Sequence, residues 1–382
     1  MATARELSPG TDQFYREGTL SFDGYQGQGG HAFRLGVTAP AQPIITEFEG
    51  GDDLGVGVGT KIRALYDSLE EIRVKTDEGE KVIEAGIIQG TGGRVRLHAA
   101  TYSSSLAANH GNGFDEALCA HLDPEITHVY VGAPGIGLSS PLSTKERKFV
   151  SKHGSFMDID ASDGSIRPLP HVQAVHGVLR HLGVNATDLH GDSAGALVTT
   201  ALGAAYGQGN IRTIHQNVRP GIKDIGPFAL AYGMLYLTGV QSKPHAELSP
   251  DVLKMGPDKI GLVEANLSSE FIGRDLRLRR SNATLLANLV GLGRGPSQGD
   301  PLVRDNVAFA RANPAARILL TVGAEDPLAK GDDLAARLEG VVSNISAYTY
   351  APVYAVSFPG MSHNIQTHYP QYLRAVSRFL LG

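Results

Sequence analysis

Tryptophan is absent from this chain, and cysteine occurs once, as Cys119. A single thiol excludes an internal disulfide and any metal site built from cysteines. It lies in the apolar-periodic stretch FDEALCAHL and reads as a buried helix residue. No uninterrupted apolar run reaches the about 18 residues of a membrane-spanning helix. The nearest candidate, IGPFALAYGMLYLTGV at 225–240, is too short and is broken by glycine. The opening stretch, MATARELSPGTDQFYREG, lacks a basic start followed by an apolar run, so no secretory signal is read there. Charge of one sign is scarce too. Lys and Arg total 34 against 39 Asp and Glu, a net charge of −5, which gives no reason to expect nucleic acid or an anionic membrane as partner. No metal-ligand cluster, phosphate loop or dinucleotide fingerprint stands out. GVGVGT at 55–60 follows GGDDL rather than a strand, so neither a metal nor a cofactor is expected. These absences suit a reduced setting, either cytoplasmic or on a particle such as a virion.

What is present is ordinary globular material: 382 residues, 42% apolar and 19% charged, enough for a large core. From about residue 94, short β-branched runs alternate with helical patterns. Strands are expected at 94–102, 127–135, around ATDLHGDS, and at 211–218, 316–326 and 353–360. Helices are expected at 113–122, 171–183, 194–207, 331–345 and 369–382. That alternation predicts an α/β protein, with an open, mostly parallel sheet covered by helices on both faces. The connection between strands 211–218 and 316–326 is too long for a compact domain, so 219–310 reads as a mostly helical cap insertion. The core is then 91–218 together with 311–382. Region 1–90 supplies either the first sheet strands or a separate module. Within it FRLGVTAPAQPIITEFEG is strand-like and KIRALYDSLEEI helix-like.

The pattern G-x-S-x-G is expected by chance about 0.4 times at this composition. It occurs around Ser193, in LHGDSAGALVTT, and around Ser297, in GPSQG. Only Ser193 stands between a predicted strand and a predicted helix. A sharp turn there drives the serine toward positive φ, lets two backbones pass at the flanking glycines, and sets the hydroxyl beside a helix N-terminus. Ser297 has neither element beside it and reads as a loop residue. A serine needs a base, and the base an orienting acid, each after a later strand. After strand 316–326 comes Asp326, in VGAEDPL, and after strand 353–360 comes His363, in FPGMSHN. Glu325 is the alternative acid. His368 competes with His363 but stands where it would cap the terminal helix. His190, on the strand before the serine, reads as a core histidine.

With these three positions in order, residues 94–382 resemble an α/β-hydrolase. HGNGF (110–114), GDSAG (191–195), EDPL (325–328) and GMSHN (360–364) are similar to the hormone-sensitive-lipase-like branch. That resemblance implies an oxyanion hole from the backbone N–H groups of Gly111, Gly113 and Ala194. Asn112 departs from the H-G-G-G pattern. VYVGAPGIGLSSP (129–141) resembles instead the D-x-P-G-x-G-x-S turn of other α/β-hydrolases, which would move the second donor to Ala99–Tyr102, with Thr101 and Tyr102 foremost. The resemblance implies acyl transfer: Ser193 attacks, His363 shuttles the proton, Asp326 holds the imidazole, and water releases the acyl-enzyme. Phe228, Leu230, Tyr232, Leu235, Tyr236 and Leu237 of the cap would line an acyl pocket or pack cap on sheet. The expected partner is a small or lipid-like ester, with self-assembly through the N-terminal region a further possibility. A thioesterase, acyltransferase or peptidase would use the same triad, and a binding or structural protein would keep only the fold.

Overall fold

The computed structural model describes residues 20–26, 31–37, 67–99, 124–135, 139–217, 301–323 and 334–358, together with 284, 287 and 291. In chain order the elements are β1 (Leu20–Gln26), β2 (His31–Val37), β3 (Ser68–Thr76), β4 (Gly79–Ile88), β5 (Arg94–Ala99), β6 (Ile126–Val131), α1 (Thr144–His153), β7 (Met157–Ile159), β8 (Ile166–Pro168) and α2 (Pro170–His181). They continue with β9 (Asp188–Asp192), α3 (Ala194–Tyr206), β10 (Thr213–Asn217), α4 (Pro301–Ala312), β11 (Arg317–Gly323), α5 (Leu334–Tyr348) and β12 (Val353–Phe358).

Ten strands form one sheet in the order β1-β2-β12-β11-β10-β9-β5-β6-β4-β3, and β7 and β8 form a separate hairpin. Every pairing from β2 through β12, β11, β10, β9 and β5 to β6 is parallel. Antiparallel pairs close both edges, β1 on β2 at one and β3–β4–β6 at the other. All of β6 is buried, as expected of a parallel strand covered on both faces. One face carries Leu97, Val129, Leu189 and Ile214, all at most 1% exposed. A side chain at Gly203 of α3 would come within 2.9 Å of Leu189 Cδ1, so this face lies under α3. The helices α2, α3, α4 and α5 touch in succession and form one layer over it. The helices expected at 113–122 and 369–382 lie outside the described residues.

The sequence reading needs correction at its start. Residues 68–72 of the helix-like stretch belong to β3, not to a helix. Leu65, Leu69 and Ile72 mimic helical spacing, but from Glu71 the side chains alternate, with Ile72 and Val74 inward and Arg73 and Lys75 outward. A tight turn at Gly79, φ +115°, returns the chain as β4. Both strands join the main sheet, and β1–β2 extends it beyond β12. At the other end of the supposed insertion, residue 310 falls inside α4, whose buried Phe309 belongs to the main core.

One helix went unnoticed in the sequence. The stretch Ser143-Thr-Lys-Glu146 is a capping box: Ser143 Oγ accepts from Glu146 N at 3.2 Å, and Ser143 N donates to Glu146 Oε2 at 2.7 Å, opening α1. Glu146 also accepts from Lys81 Nζ on β4 at 2.7 Å and, through Oε1, from His171 N at 2.8 Å. One buried carboxylate thereby ties α1, the sheet and the start of α2.

Candidate active site

The strand β9 lies in the middle of the parallel sheet, between β10 and β5. It ends at Asp192, α3 begins at Ala194, and Ser193 alone makes the turn with φ +54° and ψ −116°. Ser193 and Gln208 are the two non-glycine residues with positive φ among those described. Such a conformation costs a serine about 1–3 kcal/mol, so it persists only where the surroundings impose it. Here they do. A Cβ at Gly191 would overlap Ala196 Cα and lie 2.5 Å from Thr199 Oγ1, so strand and helix pass at a separation that only glycine permits. Ser193 is half-buried, and its hydroxyl makes no capping hydrogen bond to the helix it precedes. The residue thus holds at a helix N-terminus a hydroxyl that does not cap the helix. There the N–H of Ala194 has no intrahelical acceptor and the helix dipole favours negative charge.

The register shows what else reaches this rim. Asp192 lies level with Asn217, Asn217 with Thr321, and Thr321 with Val356. Because these strands are parallel, the chain leaves β11 and β12 at the edge where it leaves β9.

Three solved structures are similar to this chain in fold. They are one from work on carboxylesterases of the thaumarchaeon Nitrososphaera gargenis (TM-score 0.52, 11% identity), a bromoperoxidase from Bacillus anthracis (0.51, 13%) and an esterase from Exiguobacterium antarcticum (0.50, 11%). The likeness covers 81–82% of this chain and 97–100% of theirs. This chain has the α/β-hydrolase fold. No protein-family model and no curated protein sequence matches it.

Within this α/β-hydrolase fold, Ser193, Ala194 and Ala99, the first residue of the Ala99–Tyr102 alternative, are the sequence-predicted site residues that the structure describes. Asp326, Glu325, His363, His368, Gly111, Gly113, Thr101, Tyr102, Phe228, Leu230, Tyr232, Leu235, Tyr236, Leu237 and Ser297 lie outside the described residues, as does Cys119. Strand β11 ends three residues before Asp326, and β12 five residues before His363. Beneath the elbow a water-sized apolar void is bounded by Ala99, Ala133, Pro134, Ala194, Gly195 and His171, among others. His171 is buried, and its Nδ1 meets no hydrogen-bond partner. Burial, and secondarily the Lys81 ammonium, push its pKa down to about 3, so its ring is neutral.

The sequence did not disclose the neighbourhood of His190, which is buried as expected but not isolated. His98 Nδ1 lies 2.9 Å from His190 Nδ1, and His98 Nε2 lies 2.8 Å from His128 Nδ1. His190 stacks on His215 at 4.9 Å, and His215 Nε2 pairs with Thr321 Oγ1 at 3.0 Å. Burial above all, then mutual repulsion and Arg96, hold His98 and His215 well below the usual histidine range; burial and Arg96 bring His190 to about 3. Neutral rings satisfy both short contacts if His190 donates to His98 and His98 donates to His128, leaving His190 Nε2 as an acceptor without a partner. These four rings form a polar ladder across β6, β5, β9 and β10. Among the described residues no group of three or more His, Cys, Asp or Glu is arranged to hold a metal ion, and no helix is long and apolar enough to cross a membrane.

Proposed function

We propose that this protein is a serine hydrolase that cleaves a carboxylic ester through an acyl-enzyme. The observation that carries the proposal is the backbone of Ser193: a strained serine between a central strand and a helix, kept so by Gly191, its hydroxyl not used for capping. In this reading His363 takes the Ser193 proton as the hydroxyl attacks the ester carbonyl, and Asp326 orients the imidazole and stabilises its charged form. The Ala194 N–H and a second backbone donor, from Gly111 and Gly113 or from Thr101 and Tyr102, receive the negative charge on the carbonyl oxygen. The alcohol leaves with the proton from His363; water then repeats the sequence and frees the acid. Phe228, Tyr232, Leu235 and Tyr236 line the acyl pocket of an apolar substrate. Carboxylesterase and esterase in the names of two similar structures support the reaction class.

The test is covalent labelling by a fluorophosphonate probe, mapped by peptide mass spectrometry. The wild type is expected to be labelled at Ser193, and Ser193→Ala to lose the label and p-nitrophenyl ester turnover together. Esters graded from C2 to C12 then read the acyl pocket, and a flat response removes the apolar substrate. Turnover of thioesters or amides above esters assigns the same triad to a thioesterase, acyltransferase or peptidase. An inert, folded wild type overturns catalysis. It selects a binding or structural role, which the hairpin β1–β2 added at the sheet edge would serve.

A further inference from the structure

A cleft of about 500 Å³ opens at the end of the sheet opposite Ser193, where the chain enters β9 and β10. Its apolar floor comprises Leu179, Ala186, Leu202 and Ile211, each at most 7% exposed. One wall is an aromatic pair, the His176 ring stacked on Tyr206 at 3.9 Å and 10°. Arg180 and Arg212 stand exposed at its lining, and neither guanidinium makes a hydrogen bond or ion pair with a described residue. No described aspartate or glutamate lines the cleft. Asp77, which acts on Tyr206, is outside the lining. In a chain of net charge −5, two guanidiniums unpaired among the described residues, in one concavity that no described acid lines, form a local positive site.

The cleft is also held in shape. Arg212 N donates to Thr187 O at 2.7 Å, and Arg212 O accepts from Arg317 N at 2.8 Å, so the backbone of this arginine is fixed between two strands. The rim turn 207–210 is clamped by the buried Asn313, whose Oδ1 accepts from Gly209 N at 3.2 Å and whose Nδ2 donates to Gly203 O at 2.8 Å. Gly183, φ +69°, closes the last turn of α2 directly after Arg180 and its neighbours. A pre-formed cavity of this volume, with an apolar floor and few charged groups, has the character of a small-molecule site. Guanidinium forks match carboxylate and phosphate oxygens.

We propose that this cleft binds a small organic anion, its apolar body on the floor of Leu179, Ala186, Leu202 and Ile211 and its carboxylate or phosphate between Arg180 and Arg212. The site is separate from the elbow. The strand β9 alone puts about 13 Å between its two ends, so the inference stands whether or not Ser193 is a nucleophile.

The experiment uses the full chain and four probes: phenyl phosphate, benzoate, benzamide and inorganic phosphate. Binding is read by calorimetry and by the NMR signals of the His176 ring. Phenyl phosphate or benzoate is expected to saturate, to raise the His176 pKa by neutralising the nearby Arg180, and to weaken with added salt. Benzamide, without the charge, is expected not to bind. Which of the two anions binds more tightly identifies the head group. The double variant R180Q/R212Q, at two exposed positions without a partner among the described residues, is expected to lose about tenfold or more in affinity, and Ser193→Ala to lose none. The proposal is overturned if no anion moves the His176 signals, if the double variant binds as the parent does, or if benzamide binds equally. It is overturned as well if inorganic phosphate binds as tightly as phenyl phosphate, since the apolar floor would then contribute nothing.

Discussion

Ser193 stores strain that its surroundings must hold. A φ of +54° costs a serine about 1–3 kcal/mol, whereas glycine adopts it freely. Glycine also gains freedom in the unfolded chain, which offsets about 0.5–1 kcal/mol. Ser193→Gly is therefore expected to be more stable than Ser193→Ala by about 1 kcal/mol, with both inactive, and urea denaturation of the pair measures it. Equal stabilities would mean that the elbow is not strained. The turn was legible in the sequence because G-x-S-x-G needs only local chemistry: two glycines, a strand before and a helix after. The void at His171 was not legible, because it depends on α2, β5 and β6 meeting over the start of α3.

At the level of elements, the imidazole ladder makes the sheet sensitive to acid. His98, His190 and His215, and His171 outside the ladder, all have folded-state pKa values below the ordinary 6.5. The unfolded chain therefore takes up protons first. Their contribution to stability is complete above about pH 6.5 and falls as pH drops, toward about 3 for His171 and His190, by up to about 1.4 kcal/mol per pH unit for each ring. Unfolding free energies measured between pH 7.5 and 5 should show this slope, and His98→Gln should reduce it by about one proton; a slope unchanged by that substitution would remove His98 from the account. The ion pair of Lys81 with Glu146 makes a second test. Glu146→Leu leaves a buried ammonium and is expected to cost about 3–5 kcal/mol, only part of it recovered on adding Lys81→Met because the Ser143 and His171 amides stay unpaired, as urea midpoints would show. Neither network could be read from sequence. His98 and His190 are 92 positions apart and meet only through the register of β5 on β9. The start of α1, by contrast, was written in Ser143-Thr-Lys-Glu146, a signal that was there to be used.

For the whole molecule, the alternation of strands and helices from residue 94 sufficed to anticipate a parallel sheet, because buried parallel strands and their crossover helices differ so sharply in period. The antiparallel edge was missed because β3 carries charges on its outer face while its Leu69 and Ile72 continue a helical spacing from Leu65 before it, and only pairing with β4 settles its conformation. The order of strands is likewise a property of the assembled sheet. It sets four strands on one side of β9 and five on the other. The amides of Leu189 to Gly191 therefore have no route to solvent that spares the rest of the sheet, and their hydrogen exchange should track global unfolding. Whatever Ser193 does, the protein cannot melt that corner alone: it forfeits the elbow only when it forfeits everything, with no half-unfolded, silent form between the two.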